Sequence, residues 1–304
     1  MTQEPGLERS GLRLSGASNL HNAEAMAMND AMITFIGGGN MATSLIGGLV
    51  ADNYPLHRIL VSEPDPGQRA KLASLFAIQP ISSNVDAIAK ADVIILATKP
   101  QDLADACREL ASAIQHGTRR PLVISIAAGV RVEHLQRWLG GEVALVRTMP
   151  NTPAMIQAGA TALYAAEGVT EEQRNQAETV MRAVGITQWV DREDLIDVVT
   201  AVSGSGPAYF FLIMEAIEAA ALRLGLAPGT ARLLTLQTAL GAARMAIESS
   251  DSPALLRQKV TSPGGTTERA LACLEEGDVR RLFDAALEAA RDRSVELSRL
   301  FGDA

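Results

Sequence analysis

The sequence predicts an α/β protein: a doubly wound parallel-sheet domain followed by an all-helical dimerisation domain. Three observations carry this. Short apolar runs alternate with helical stretches from Met32 to Val190. A glycine-rich turn directly follows the first of those runs, and strand patterning stops at Val190.

The strands are expected at Met32–Ile36, Ile59–Ser62, Val93–Ala97, Leu122–Ile126 and Val143–Val146, with Ala160–Tyr164 and Ile186–Val190 extending the sheet. Val93-Ile94-Ile95-Leu96-Ala97 is apolar throughout, as a parallel strand covered on both faces requires. Between the strands, helices are expected from the glycine turn to Val50, then at Asp65–Phe76, Gln101–Gln115, Val132–Leu139 and Glu171–Val184. Right-handed crossovers would place them on both faces. This domain spans 32–190. Residues 1–31 are polar and Gly/Ser/Asn-rich, with no apolar stretch suited to a secretory signal. They read as a disordered extension, with Met26, Met28 and Met32 as alternative starts.

Composition narrows the function classes. Of 304 residues, 47% are hydrophobic and 20% charged, ordinary for a folded globular chain, and the net charge of −8 argues against a nucleic-acid surface or a basic membrane face. No apolar run is expected to reach membrane-spanning length. The two cysteines, Cys107 and Cys273, have no metal-binding or disulfide spacing and imply a reducing, cytoplasmic setting.

Ile36-Gly37-Gly38-Gly39-Asn40-Met41-Ala42 matches G-x-G-x-x-G/A, with a strand before it and a helix after it. Gly37 permits the tight turn, Gly39 lets a pyrophosphate approach the backbone, and Ala42 lets the helix pack on the strand. The helix N-terminus offers free N–H groups to the phosphates. The turn therefore binds a dinucleotide in a Rossmann-like domain. Ser62-Glu63 ends the second strand at the offset where an acid bonds the adenosine ribose of NAD. Glu63 would repel a 2′-phosphate, Arg69 could turn toward one, and the choice between NAD and NADP stays open. Lys99-Pro100, Asn84 and Ala127-Ala128-Gly129 can each be a plain loop connector. Along one sheet edge they read together as the nicotinamide side of a cleft.

The second domain, 191–304, is expected to be helical. Ser203-Gly204-Ser205-Gly206-Pro207 breaks the chain, and a helix from Tyr209 to Leu224 is apolar nearly all round, so another subunit is its natural cover. Further helices are expected from Thr230 to Ser249, from Pro253 to Val260 with Ser252 as cap, and from Asp278 to Leu300. Between them, Val260-Thr261-Ser262-Pro263-Gly264-Gly265-Thr266-Thr267-Glu268 opens another helix. The N–H groups of Gly264, Gly265 and Thr266 offer a carboxylate site. The hydroxyls of Thr266 and Thr267 serve equally well as helix cap or ligand contact.

These segments resemble the pyrroline-5-carboxylate reductases. The match adds Ala97-Thr98-Lys99-Pro100, Ser125 through Val130, Arg147-Thr148-Met149-Pro150-Asn151-Thr152-Pro153 and Ala201 through Tyr209 to the glycine turn and to Val260–Thr267, in the family's order over roughly 32–300. The resemblance implies reduction of 1-pyrroline-5-carboxylate to L-proline, the last step of proline biosynthesis. It implies NADP(H) as cofactor, with NAD(H) left open, and an interleaved helical homodimer whose active site lies near the interface. It assigns the substrate carboxylate to the Ser262–Thr266 backbone, with Ser262, Gly264, Gly265 and Thr266, the ring nitrogen to the catalytic Thr267, and it counts Val260 among the substrate-binding residues. It assigns the cofactor to Gly37, Gly38, Gly39, Asn40, Met41, Asn84, Ala97, Thr98, Lys99, Pro100, Ala127 and Ala128, beside Ile36, Ala42, Ser62 and Glu63 read from the turn and the second strand. The family's frequent preference for NADPH sits awkwardly with Glu63. It implies no metal. Residues 1–31 have no counterpart in the family pattern.

The chemistry agrees independently. Ketone reduction needs a proton donor within reach, yet His21, His57, His116 and His134 all fall away from these motifs. A cyclic imine can carry its proton before hydride arrives, so orientation suffices. Two rivals make different demands. A β-hydroxy-acid dehydrogenase needs a catalytic lysine in the helical domain, where Lys259 alone stands. A dinucleotide-sensing module has no use for the Pro-Gly-Gly-Thr-Thr turn.

Overall fold

A computed structural model describes residues 31–302, so all but the last residue of the extension read at 1–31 lies outside the described residues. The strands are β1 (Ile33–Ile36), β2 (Ile59–Ser62), β3 (Val93–Leu96), β4 (Leu122–Ser125), β5 (Leu145–Met149), β6 (Gly159–Ala165) and β7 (Gly185–Trp189). They form one sheet in the order β2-β1-β3-β4-β5-β6-β7. Strands β1 to β5 pair in parallel. One strand departs from the expected parallel pattern: β6 runs antiparallel to β5, and β7 is parallel to β6. The β5–β6 connection, a short 3₁₀ turn at Thr152–Ile156, leaves no room for a crossover helix.

Helices α1 (Asn40–Ala51), α2 (Pro66–Phe76), α3 (Asn84–Ile88), α4 (Pro100–His116), α5 (Val132–Trp138) and α6 (Glu171–Arg182) connect the strands. Alternate residues of β1 feed opposite faces. Phe35 joins Leu45, Leu72 and Val180 on one side, whereas Ile36 joins Leu103, Leu110 and Leu135 on the other. Strands β1, β3 and β4 are buried along their whole length, which is why they read as unbroken apolar runs.

The rest is helical: α7 (Leu195–Val199), a π turn (Thr200–Gly204), α8 (Gly206–Arg223), α9 (Pro228–Glu248), α10 (Pro253–Lys259), α11 (Thr266–Glu276) and α12 (Val279–Gly302). Ser252 caps α10 through its side chain, with Leu255 N–H donating to it at 3.3 Å. The expectation that no apolar run reaches membrane-spanning length is also corrected. Helix α7, the π turn and α8 merge into a single helical stretch, Leu195–Arg223, long and apolar enough by length and composition to cross a membrane. The breaker cluster does not interrupt it, because the π turn absorbs Ser203 and Gly204 without ending the helix.

Helix α12 returns to the sheet domain. A Cβ on Gly129 would lie 3.3 Å from Leu297 Cβ, and Arg137 donates to the carbonyl of Gly302. By contrast, α8 and α9 expose Phe210, Phe211, Leu233, Leu234 and Leu240, each more than half accessible.

Candidate active site

Strand order reverses between β1 and β3, and in open α/β sheets the ligand crevice lies beyond the carboxyl ends of the strands at such a point. Both ends carry the expected segments. Gly37, at φ +96°, leaves β1 beside Ala97, and a Cβ there would meet the Ala97 carbonyl oxygen at 2.8 Å. Only glycine closes this turn. Ile126 N–H donates to Leu96 O at 3.2 Å, bringing the Ala127-Ala128 loop to the same edge.

The turn fits a dinucleotide. Helix α1 starts after Gly39 without a side-chain cap, so its first-turn amides keep their donors. The space where a Gly39 Cβ would sit is empty to 4 Å. Two buried hydroxyls at this edge, Ser62 Oγ and Thr98 Oγ1, have no hydrogen-bond partner among the described residues. Ile36 and Ala42 are buried, whereas Asn40 is exposed and Met41 half-buried at the start of α1. Lys99 precedes Pro100, the first residue of α4.

The Glu63 carboxylate is engaged within the turn itself. It accepts from Gly38 N–H at 2.8 Å and from Asp65 N–H at 2.9 Å. Gln68 Nε2 donates to Gly38 O, and Arg69 donates to the carbonyls of Glu63 and Pro64, each at 2.7 Å. Glu63 after β2 and Gln68 of α2 thus clamp Gly38 from both sides. Asn84 opens α3, and its amide donates to Glu109 of α4 at 2.7 Å.

The helical turn is built differently. Gly264 has φ +70°, Gly265 N–H donates to Ser262 O at 3.0 Å, and Gly265 is the N-cap of α11 with no side chain capping it. Thr266 and Thr267 therefore lie inside the helix, and neither hydroxyl serves as its cap. Of the three expected carboxylate donors, Gly265 is engaged within the turn, and Gly264 N–H donates to Glu268 Oε2 at 2.7 Å. Thr266 and Thr267 are first-turn residues whose amides have no intrahelical acceptor. Val260 follows α10 and is exposed. The helices that flank this stretch are tied together: Arg257 pairs with Glu275 at 3.1 Å, and Glu275 pairs with Arg280. The dinucleotide residues thus gather at one edge, while the turn at 260–267 stands on separate helices.

The histidines lie elsewhere. His57 is in a 3₁₀ turn, His116 ends α4, and His134 packs on Trp138 with ring centroids 6.0 Å apart. Burial holds His134 below its usual range. His21 is outside the described residues. Lys259 is paired with Asp251.

Sequence reasoning missed Gln68, Glu268 and a buried cluster around Arg147. Glu268 had a signal, since it stands three residues after the N-cap glycine, the spacing of a capping box. Gln68 had none. The fifth strand, expected to end at Val146, runs on through Arg147 to Met149.

A dinucleotide-binding sheet domain followed by a helical oligomerisation region defines a class of nicotinamide-dependent oxidoreductases. Residues 32–129 match the family model described as NADP oxidoreductase coenzyme F420-dependent, and 193–297 match that for pyrroline-5-carboxylate reductase dimerisation. The pyrroline-5-carboxylate reductase of Pseudomonas aeruginosa is 50% identical over 275 residues, covering 90% of this chain and 100% of the relative. That of Vibrio alginolyticus is 42% identical over 275 residues, covering 90% of this chain and 100% of its own. Among solved structures, the enzyme from Coxiella burnetii superposes with TM-score 0.84 at 48% identity, covering 88% of this chain and 98% of its own. The Plasmodium falciparum pyrroline carboxylate reductase, solved with NADP bound, gives 0.78 at 26% identity, covering 89% and 99%. This chain belongs to the pyrroline-5-carboxylate reductase family.

Proposed function

We infer that the chain reduces 1-pyrroline-5-carboxylate to L-proline, taking hydride from NADPH or NADH in the last step of proline biosynthesis. The observation that carries this is the pairing, on one chain of this family, of the Gly37–Ala97 crevice with the uncapped Ser262–Thr267 turn. The crevice residues Gly37, Gly39, Asn40 and Met41 would hold the pyrophosphate, Ser62 and Glu63 the adenosine ribose, and Thr98 through Pro100 with Ala127-Ala128 the ring side. When bound, the reduced nicotinamide supplies a hydride.

The chain's own residues then orient the substrate. The amide of Gly264, the first-turn amides of α11 and the positive end of its dipole hold the carboxylate. The Thr267 hydroxyl fixes the ring nitrogen, which arrives already protonated. The substrate's C=N carbon takes the hydride, and the nitrogen becomes a secondary amine. No histidine is required, in keeping with where the described histidines lie. The β-hydroxy-acid reading loses its lysine to Asp251.

We divide the chain at Val190 into a dinucleotide domain and a helical domain. A second copy covers the apolar faces of α8 and α9, forming a homodimer. That cover, not lipid, also accounts for the apolar Leu195–Arg223 stretch. Pairing in the dimer brings a 260–267 turn to a crevice. We place the reaction in the cytoplasm, where Cys107 and Cys273 stay reduced.

The test is imine reduction with NADPH and NADH side by side, in the wild-type chain and in Thr267→Ala. Turnover of pyrroline-5-carboxylate that falls about 100-fold in the variant, with dinucleotide affinity retained, is expected. Equal turnover removes the assignment of Thr267.

A further inference from the structure

Arg147 lies in the middle of β5 and is 1% exposed, as is Asp197 of α7. Arg147 Nη1 donates to Glu193 Oε1 at 2.9 Å, and its Nη2 lies 3.8 Å from Asp197 Oδ1. Glu193 Oε1 also accepts from Val132 N–H at 2.8 Å. Asp197 receives Arg131 Nη2 at 3.3 Å and the hydroxyl of Ser294, on α12, at 2.7 Å. Two cations and two carboxylates balance.

The network's position sets its consequence. Arg131 and Val132 directly follow the Ala127–Val130 loop at the crevice edge. Gly129, at φ +73°, lies under Leu297 and Phe301, where a Cβ would come within 3.3 to 3.4 Å of both side chains. The loop is thus tied at Val132 to Glu193, which Arg147 holds in turn, and packs at Gly129 against α12. Buried ion pairs contribute little net stability because desolvation offsets their attraction. Arg147 Nε and Nη2 even lack hydrogen-bond partners among the described residues, which adds cost. Such an arrangement is better suited to fixing a geometry than to holding the fold together.

We propose that Arg147, Asp197 and Ser294 are positioning residues for hydride transfer, locking the Ala127–Val132 loop to α7 and α12 so that the helical domain sets where the nicotinamide ring lies. The proposal rests on the assignment of Ala127-Ala128 to the ring side of the cofactor.

Ser294→Ala is the chosen variant, since it removes one hydroxyl from a buried site and leaves all four charges in place. Three measurements on the full-length chain decide the matter: steady-state kinetics, the primary isotope effect with deuterium at the transferred position, and amide hydrogen exchange. Expected are a fall in kcat of about tenfold, a larger isotope effect on kcat, and an unchanged KM for the imine. Amides of 127–132 should exchange faster while those of 37–42 do not. Asp197→Asn, isosteric but uncharged, should move the same readouts further in the same direction. If Ser294→Ala lowers only the unfolding temperature, leaving kcat, the isotope effect and exchange at 127–132 as in the wild type, the network is structural and the proposal falls. The exchange readout needs no substrate, so a wild-type chain inactive on the imine would count against the proposed function and not against this lock.

Discussion

The amide of Gly264 donates to the carboxylate of Glu268 at 2.7 Å, so a side chain of this protein occupies a donor that the proposed substrate carboxylate needs. The substrate must displace it. Glu268→Ala is therefore expected to lower KM for the imine acid by about three- to tenfold, the equivalent of one competing hydrogen bond of ~1 kcal/mol, with kcat nearly unchanged. The α11 start would lose about 0.5–1 kcal/mol of helix stabilisation. A KM that rises would show that Glu268 assists binding.

Gly37→Ala tests the crevice. The variant must carry a Cβ at φ +96° and 2.8 Å from the Ala97 carbonyl oxygen, so β1 and β3 have to separate. A stability loss of about 2 kcal/mol or more is expected, together with loss of dinucleotide binding. Thermal unfolding and a dinucleotide titration measure both.

We propose that Glu63 biases dinucleotide choice. Its carboxylate is held at the end of β2 by the amides of Gly38 and Asp65, and Arg69 stands beside it on the Glu63 and Pro64 carbonyls. Replacing Glu63 by Ser removes a charge that repels a 2′-phosphate and leaves Arg69 in place. The ratio of kcat/KM for NADPH over NADH should rise about tenfold at low salt and less at high salt. An unmoved ratio would assign the choice to other residues.

Cys107 supplies a pH test. Burial pushes its thiol from 9.0 up to about 12, so the unfolded chain releases this proton first. The folded state then has its full contribution below pH 9 and loses it as pH rises toward 12. Urea midpoints at about pH 8 and about pH 10.5 should differ more in the wild type than in Cys107→Ala. In the native state the thiol should resist alkylation until the chain unfolds.

Much of this was legible from residue order. The buried strands β1, β3 and β4 declared themselves as apolar runs because both of their faces are covered, and Gly37 did so because one φ value admits no other residue. The Val260–Thr267 segment stood out because its glycines and threonines open a helix. Its internal state did not, since Thr266 and Thr267 could equally have been caps until Gly265 took that place.

What sequence alone determined were the properties of single elements: the alternating pattern, the glycine turn, the helical second half and the family likeness. Tertiary structure decided what depends on neighbours distant in the chain. It carried β5 through Arg147, because Glu193 and Asp197 neutralise its charge. It turned β6 antiparallel because the connection is too short to cross over. It also set Glu268 on Gly264 and Ser294 on Asp197. Local periodicity records burial, but a hydrogen bond between residues 97 positions apart exists only once the chain has folded back on itself.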